Sequence, residues 1–177
     1  MSAPAVIGAD QVMAVAQDVF VAMVDGEETT LGPWYGDVPA PAEPLAAWVD
    51  VHGPWSGRAV LVTELATARD LARAMLRLDD DAPVDAEDLV DAFGEIANVV
   101  GGNLKSLLPD GGTLGLPQVA DAPPAAGVAA SPEAELRLSW RGRPLVVAVH
   151  ARPDTSSTPS GPTPHPDNPH LEGDTPR

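Results

Sequence analysis

Three polar residues that a helix would place on one face are the groups in this sequence best suited to chemistry. Asp91, Glu95 and Asn98 have i, i+4, i+7 spacing, which stacks their side chains on successive helical turns. The Asn98 amide can donate and accept hydrogen bonds, so it can position a water molecule, although it cannot act as a general base. The Glu95 carboxylate can pair with a cation. The same pattern is also typical of a solvated helix face.

The helix that would carry these groups is the longest helical pattern in the chain, residues 85–108, which a Pro-Asp-Gly-Gly sequence ends. At about 100° per residue, its large apolar side chains form one stripe, which we expect to face the core. The stripe consists of Leu89, Phe93, Ile96, Val100, Leu104 and Leu107. The opposite face carries Asp91, Glu95, Asn98, Gly102 and Lys105.

Two adjacent glycines, Gly101 and Gly102, lie inside this helix, where each costs about 1 kcal/mol relative to alanine. Two arrangements could offset this loss of helix stability. Either the backbone of another protein approaches this face, or the helix packs closely against its own sheet. The position of Gly102 on the polar side favours a partner, whereas Gly101 lies nearer the flank and fits both.

The remaining segments predict an α+β fold, in which long helices pack on an antiparallel or mixed sheet. Periodicity predicts helices over residues 11–25 and 67–78. Asp10 is a candidate N-cap of the first helix, with Gly26 as its stop, and Thr67 with Asp70 has the spacing of a capping box for the second.

Apolar runs bounded by turn residues predict the strands. These strands are residues 45–52, 58–63, 113–119, 133–140 and 144–151, and residues 29–44 are a loop or a loop around an edge strand. The segment 144–151 is the more apolar of the last two, so we expect it to be more central. We expect residues 1–152 to form one domain. Residues 153–177 are rich in Pro, Ser and Thr and should be disordered.

Composition excludes several classes of protein and site. The chain has no cysteine, so disulfides and thiolate chemistry are absent. Its formal net charge of -16 argues against binding to nucleic acid or to anionic membranes. The N-terminus lacks the pattern of a signal peptide and no apolar run could span a bilayer, so we expect a cytoplasmic protein. Neither a metal cage nor a Ser-His-Asp set stands out.

The pattern Asp91-x-x-x-Glu95-x-x-Asn98 resembles the (Asp/Ser)-x-x-x-Glu-x-x-Asn signature of the CheC/CheX/FliY chemotaxis phosphatases. Gly101-Gly102-Asn103 resembles the Gly-Asn that follows it, and Pro117 resembles the proline on the next strand. The 18 residues between Asn98 and Pro117 are a few fewer than that pattern usually has. This signature occurs on one helix of the chain rather than on two, which makes the chain similar to CheX and not to CheC.

This resemblance implies a phosphatase that hydrolyses the phospho-aspartate of a CheY-like response regulator. It implies that Glu95 docks against the regulator's lysine and that Asn98 positions the attacking water. Asp91, Gly102 and Lys105 are then candidate partner contacts, although Lys105 could instead only balance charge. The chain would need no cofactor of its own, because Mg²⁺ is expected on the regulator.

The resemblance to CheX also implies a homodimer joined through the sheet. Exposed strand edges, for example that of residues 144–151, would permit it. Two alternatives to an enzyme stay open. One is a non-catalytic module of the same fold that docks a signalling partner, and the other is a structural protein of the flagellar switch type, which would call for a fused switch domain.

Overall fold

The computed structural model describes residues 7–153 of the chain. This part contains three α-helices: α1 (Ala9–Phe20), α2 (Leu65–Leu76) and α3 (Ala86–Ser106). A π-helical turn, Val21–Asp25, extends α1. The strands are β1 (Gly32–Pro33), β2 (Pro44–His52), β3 (Gly57–Glu64), β4 (Thr113–Leu114), β5 (Gln118–Ala120), β6 (Ala134–Trp140) and β7 (Arg143–Ala151).

All seven strands form one sheet in the order β1-β6-β7-β3-β2-β4, and β5 pairs with β2 beside β4. Every pairing is antiparallel. The hairpins β2–β3 and β6–β7 form the centre, where the β3–β7 pairing joins them along Gly57–Thr63. The α+β fold expected from the sequence is confirmed, with an antiparallel sheet.

The helices pack on one face of this sheet, because alternate strand residues such as Val49, Leu61 and Val147 share one buried core with residues of all three helices. The other face carries a smaller cluster of Ala46, Trp48 and Val60. There the Arg58 guanidinium bonds to the Asp50 carboxylate at 2.7 Å and to a backbone carbonyl of the loop that follows β5. This second face is covered only in part, since the Arg137 side chain on it is 57% exposed. The helical face is the one that positions α3.

The N-caps expected for α1 and α2 are both wrong. Asp10 lies within α1, and Gly8 is the N-cap, where its amide donates to the side chain of Gln11 at 3.0 Å. Gly26 does end the helix, with φ of 93°. In α2 the N-cap is Glu64, so Thr67 is buried inside the helix and cannot cap it. The chain passes directly from β3 into α2, and the first amide of the helix, that of Leu65, donates to the Glu43 carbonyl at 2.8 Å.

The strand expected over residues 113–119 is divided into β4 and β5, which both pair with β2. The Gly115 amide still donates to the Asp50 carbonyl of β2 at 2.8 Å, but residues 116 and 117 have no partner in β2. Pro117 has no amide hydrogen to donate to a ladder, and the preceding Leu116 is 85% exposed. The chain therefore bulges outwards here, beside α3.

The strand β7 is central, as expected, but its edges are not free. It pairs with β6 on one side and β3 on the other. The expectation that residues 144–151 offer an exposed edge for dimerisation is therefore wrong, because the outer positions of the sheet belong to β1 and to β4 with β5. The predicted tail lies almost wholly outside the described residues. No helix within residues 7–153 has the length and apolarity to cross a membrane.

Candidate functional site on helix α3

The N-terminus of α3 is well capped by local sequence. The Asp85 carboxylate accepts a hydrogen bond from the amide of Asp88 at 2.8 Å, as an N-cap does. Glu87 and Asp88 in the first turn and Lys105 in the last turn have the signs that the helix dipole favours. These interactions define where the helix starts and therefore which residues its faces present.

The inner face of α3 anchors the helix on the sheet. Leu89, Phe93, Ile96, Val100 and Leu104 are buried, as the apolar stripe predicted. Leu107 is 44% exposed, contrary to the prediction, because α3 ends at Ser106 and the following Leu108 is buried instead.

Gly101 belongs to this inner face and is buried. A Cβ at Gly101 would collide with the side chain of Val49 on β2. Of the two arrangements open for this glycine, the structure therefore has close packing of the helix against its own sheet.

The outer face presents the predicted chemical groups. Glu95 is exposed and Asn98 is half-buried one turn later. The Asn98 Nδ2 donates a hydrogen bond to the Glu95 Oε2 at 3.2 Å, so the two side chains are in direct contact. The Asn98 Oδ1 and the Glu95 Oε1 have no partner among the side-chain hydrogen bonds of the described residues.

A cleft of about 500 Å³ lies between α2, α3 and the bulge before β5. Asp91, Glu95 and Pro117 all line it, which brings three sequence-predicted features together. The helix and Pro117 are close neighbours here, since a Cβ added at Gly94 would be in ordinary contact with the Pro117 Cβ, at 3.7 Å. The structure thus places Pro117 beside the signature helix.

Two residues of this cleft, Leu76 and Val90, were not among the predicted site residues. Their side chains line the cleft and remain 41% and 45% exposed. Single exposed apolar residues are common on protein surfaces, so the sequence alone carried no signal for them. Only the packing of α2 beside α3 brings them together next to Asp91 and Glu95.

The other candidate partner contacts lie further along α3. Gly102 and Lys105 are both half-buried, and neither lines the cleft. A Cβ at Gly102 would be in ordinary contact with Leu114, so its own fold does not demand glycine there. Asn103 is exposed, and its Nδ2 donates to the Val99 carbonyl in the previous turn at 2.9 Å.

The side chains of the described residues do not form a metal-binding site. Within residues 7–153, no three His, Asp or Glu side chains are grouped so that they could hold a metal ion. The acidic residues around the start of α3 are exposed instead.

The comparison with protein families agrees with the signature on α3. Residues 45–131, from β2 to the loop after β5, match the family model described as chemotaxis phosphatase CheX. The chain is a CheX-like member of the CheC/CheX/FliY family. A search of curated proteins found no match to this CheX-like chain.

Solved structures of the family share its fold. The CheX–CheY–BeF3–Mg²⁺ complex from Borrelia burgdorferi matches with a TM-score of 0.65 and 17% identity, over 84% of this chain and all of that chain (100%). CheX from Vibrio vulnificus matches with a TM-score of 0.62 and 15% identity, over 85% of this chain and 100% of that chain.

FliY from Thermotoga maritima is a third structural match, with a TM-score of 0.51 and 17% identity over 80% of this chain and 83% of that chain. At these low identities the structural matches establish the fold alone. They do confirm that the sheet and its three helices have the arrangement found in CheC-like proteins.

Proposed function

We propose that this protein is a phosphatase that hydrolyses the phospho-aspartate of a CheY-like response regulator, acting in the cytoplasm in chemotaxis or a related two-component pathway. The observation that supports this most strongly is the side-by-side placement of Glu95 and Asn98 on the open face of α3. The family match and the Borrelia complex of CheX with CheY point in the same direction.

The chemistry of an aspartyl phosphate suits these two residues. An acyl phosphate is already activated, so its hydrolysis needs a correctly positioned water and stabilisation of the phosphoryl charge more than a strong base. The Mg²⁺ and the lysine of the regulator would supply the charge stabilisation. The phosphatase then needs only to position the water, and it can do so without a metal of its own.

In this proposal Asn98 positions the water. Its amide is uncharged, so it does not repel the phosphoryl group, and it has both donor and acceptor atoms. Glu95 would pair with the regulator's lysine and so align the two proteins. For this to happen, the Glu95–Asn98 hydrogen bond at 3.2 Å must open or be shared, which its exposed position allows.

The cleft beside Glu95 supports docking of a folded partner. Leu76, Val90 and Pro117 provide apolar surface beside the carboxylates of Asp91 and Glu95. Apolar contacts ringed by charges are typical of a transient protein interface. Gly102 and Lys105 extend this surface along α3 as further proposed contacts. A homodimer stays a prediction, and its contact would leave this face free.

The decisive experiment follows phosphate loss from a response regulator of the same genome, phosphorylated by a small-molecule donor with Mg²⁺. Wild-type protein should accelerate the loss in proportion to its concentration. Asn98→Ala should remove most of the acceleration, on the order of 100-fold, because a misplaced water reacts far more slowly. Glu95→Gln should mainly raise the concentration of regulator needed, because it weakens docking.

Asn103→Ala is the matched control, because it removes an exposed amide from the same helix without touching the Glu95–Asn98 pair. It should retain full activity. If the wild-type protein binds phosphorylated regulators but accelerates none of them, the proposed phosphatase is wrong and a non-catalytic docking module replaces it. If Asn103→Ala is as inactive as Asn98→Ala, the assigned role of Asn98 is wrong.

A further inference from the structure

A second cleft, of about 600 Å³, lies on the other side of α2. It is bounded by the C-terminal half of α2, the π-helical turn and the turn between β6 and β7. The whole chain has only 10 Lys and Arg residues and a net charge of -16. Yet four arginines line this cleft: Arg73, Arg77, Arg141 and Arg143.

The backbone at two of these arginines is unusual. Within residues 7–153, Arg77 and Arg141 are the only non-glycine residues with positive φ, at 58° and 50°. Arg77 ends α2 in the left-handed conformation, and Arg141 starts the tight β6–β7 turn. Glycine or asparagine is the usual residue at both kinds of position. Here both positions hold an arginine, and both arginines line the same cleft. This indicates that their side chains have a role beyond forming the turns.

Two carboxylates of the cleft, those of Asp25 and Asp70, hold three of the four guanidinium groups in place. The Asp25 side chain is 4% exposed and accepts hydrogen bonds from Trp140 Nε1 at 3.1 Å and from Arg141 Nη2 at 3.2 Å. The Asp70 carboxylate accepts from both Arg73 and Arg143. Asp25 and Asp70 are therefore both engaged, and they orient three of the arginines that line the cleft.

The arginines nevertheless retain donors for a ligand. The side chains of Arg141 and Arg143 are 48% and 47% exposed, so part of each five-donor fork remains in solvent. Arg77 has no ion pair among the described residues. The one hydrogen bond of its side chain there is a long one, in which Nη1 donates to the Val24 carbonyl at 3.4 Å.

We propose that this cleft binds a small anion that carries phosphate groups. Guanidinium forks match phosphate oxygens with paired hydrogen bonds, and here several converge on one concave surface. Asp80 also lines the cleft, so four arginines face three carboxylates and one positive charge remains. No residue is shared with the cleft beside Glu95, because α2 contributes Asp70, Arg73 and Ala74 here but Met75 and Leu76 there.

Titration calorimetry of the full chain with inorganic pyrophosphate, without divalent metal and at low ionic strength, tests the proposal. Wild-type protein should bind one equivalent saturably. Arg77→Gly should weaken binding by about tenfold or more, which is the effect of losing one charge-assisted donor group. Glycine suits the left-handed backbone at this position, so this variant should fold, and its thermal melting curve verifies that.

Arg69→Gln is the matched control, because Arg69 is an exposed arginine of the same helix outside the cleft. It should weaken binding by no more than about twofold, the size of a screened long-range charge effect. Absence of saturable binding to wild type would overturn the proposal. Equal losses for Arg69→Gln and Arg77→Gly would also overturn it, as would equally tight binding of citrate, since that would show no preference for phosphate.

Discussion

The two faces of α3 differ in how they depend on the rest of the molecule. The inner face is packed against the sheet so closely that Gly101 leaves no room for a methyl group beside Val49. The outer face carries Glu95 and Asn98, which bond to each other and lie outside the buried core. One helix therefore combines a face that determines stability with a face that is free to do chemistry.

The largest effect should come from truncating the inner face. Phe93 is fully buried, so Phe93→Ala should lower the free energy of unfolding by about 3–5 kcal/mol through lost burial and a cavity. Denaturant unfolding measures this change. Val90→Ala, on the outer face of the same helix, should change it by less than about 0.5 kcal/mol. Similar losses for both variants would mean that the two faces do not differ as described.

The adjacent glycines sharpen the comparison, because they should respond in opposite directions to the same substitution. Gly101→Ala should destabilise the fold by about 1–3 kcal/mol, since the added methyl meets the stiff, buried Val49 side chain. Val49→Ala should reduce that penalty in a double-mutant cycle.

Gly102→Ala should instead raise the free energy of unfolding by about 0.5–1 kcal/mol, because alanine is the better helix former and meets only ordinary contact with Leu114. If Gly102 also contacts the regulator, this more stable variant should bind it less tightly. A destabilised Gly102→Ala protein would contradict the ordinary contact with Leu114 described for this residue.

The N-cap tests how the start of α3 is determined. Asp85→Ala should cost about 1 kcal/mol, because the Asp88 amide loses its acceptor. Asp85→Asn retains a capping oxygen and should restore most of the loss in thermal melting. If the two variants melt at the same reduced temperature, the charge of Asp85 and not its hydrogen bond is responsible.

The smallest effect on stability should come from the proposed site itself. Asn98→Ala and Glu95→Gln should each change the free energy of unfolding by less than about 0.5 kcal/mol, because Glu95 is exposed and the half-buried Asn98 side chain bonds only to Glu95. The same proteins should show the largest losses in regulator dephosphorylation. Substantial destabilisation by either variant would mean that the outer face contributes to the fold, and the activity assay would then need a stability-matched control.

Much of this arrangement is readable from the sequence because it depends on local rules. The 3.6-residue period of α3 separates Phe93 and Ile96 from Glu95 and Asn98. The β2–β3 and β6–β7 hairpins follow from short turns between apolar runs, and these pairs are confirmed. The errors lie at element ends, such as Leu107 and the cap of α2, where a difference of one or two residues decides which side chain is buried.

What the sequence by itself determined is therefore the set of elements and the polar face of α3 with its Glu95–Asn98 pair, since periodicity and spacing are local properties of the chain. Only the tertiary structure decided which elements meet. It placed Pro117 and Leu76 beside Glu95 and brought Arg77 next to Arg141, because contacts between distant segments depend on how helices and sheet pack together. Local patterns carry no information about such distances.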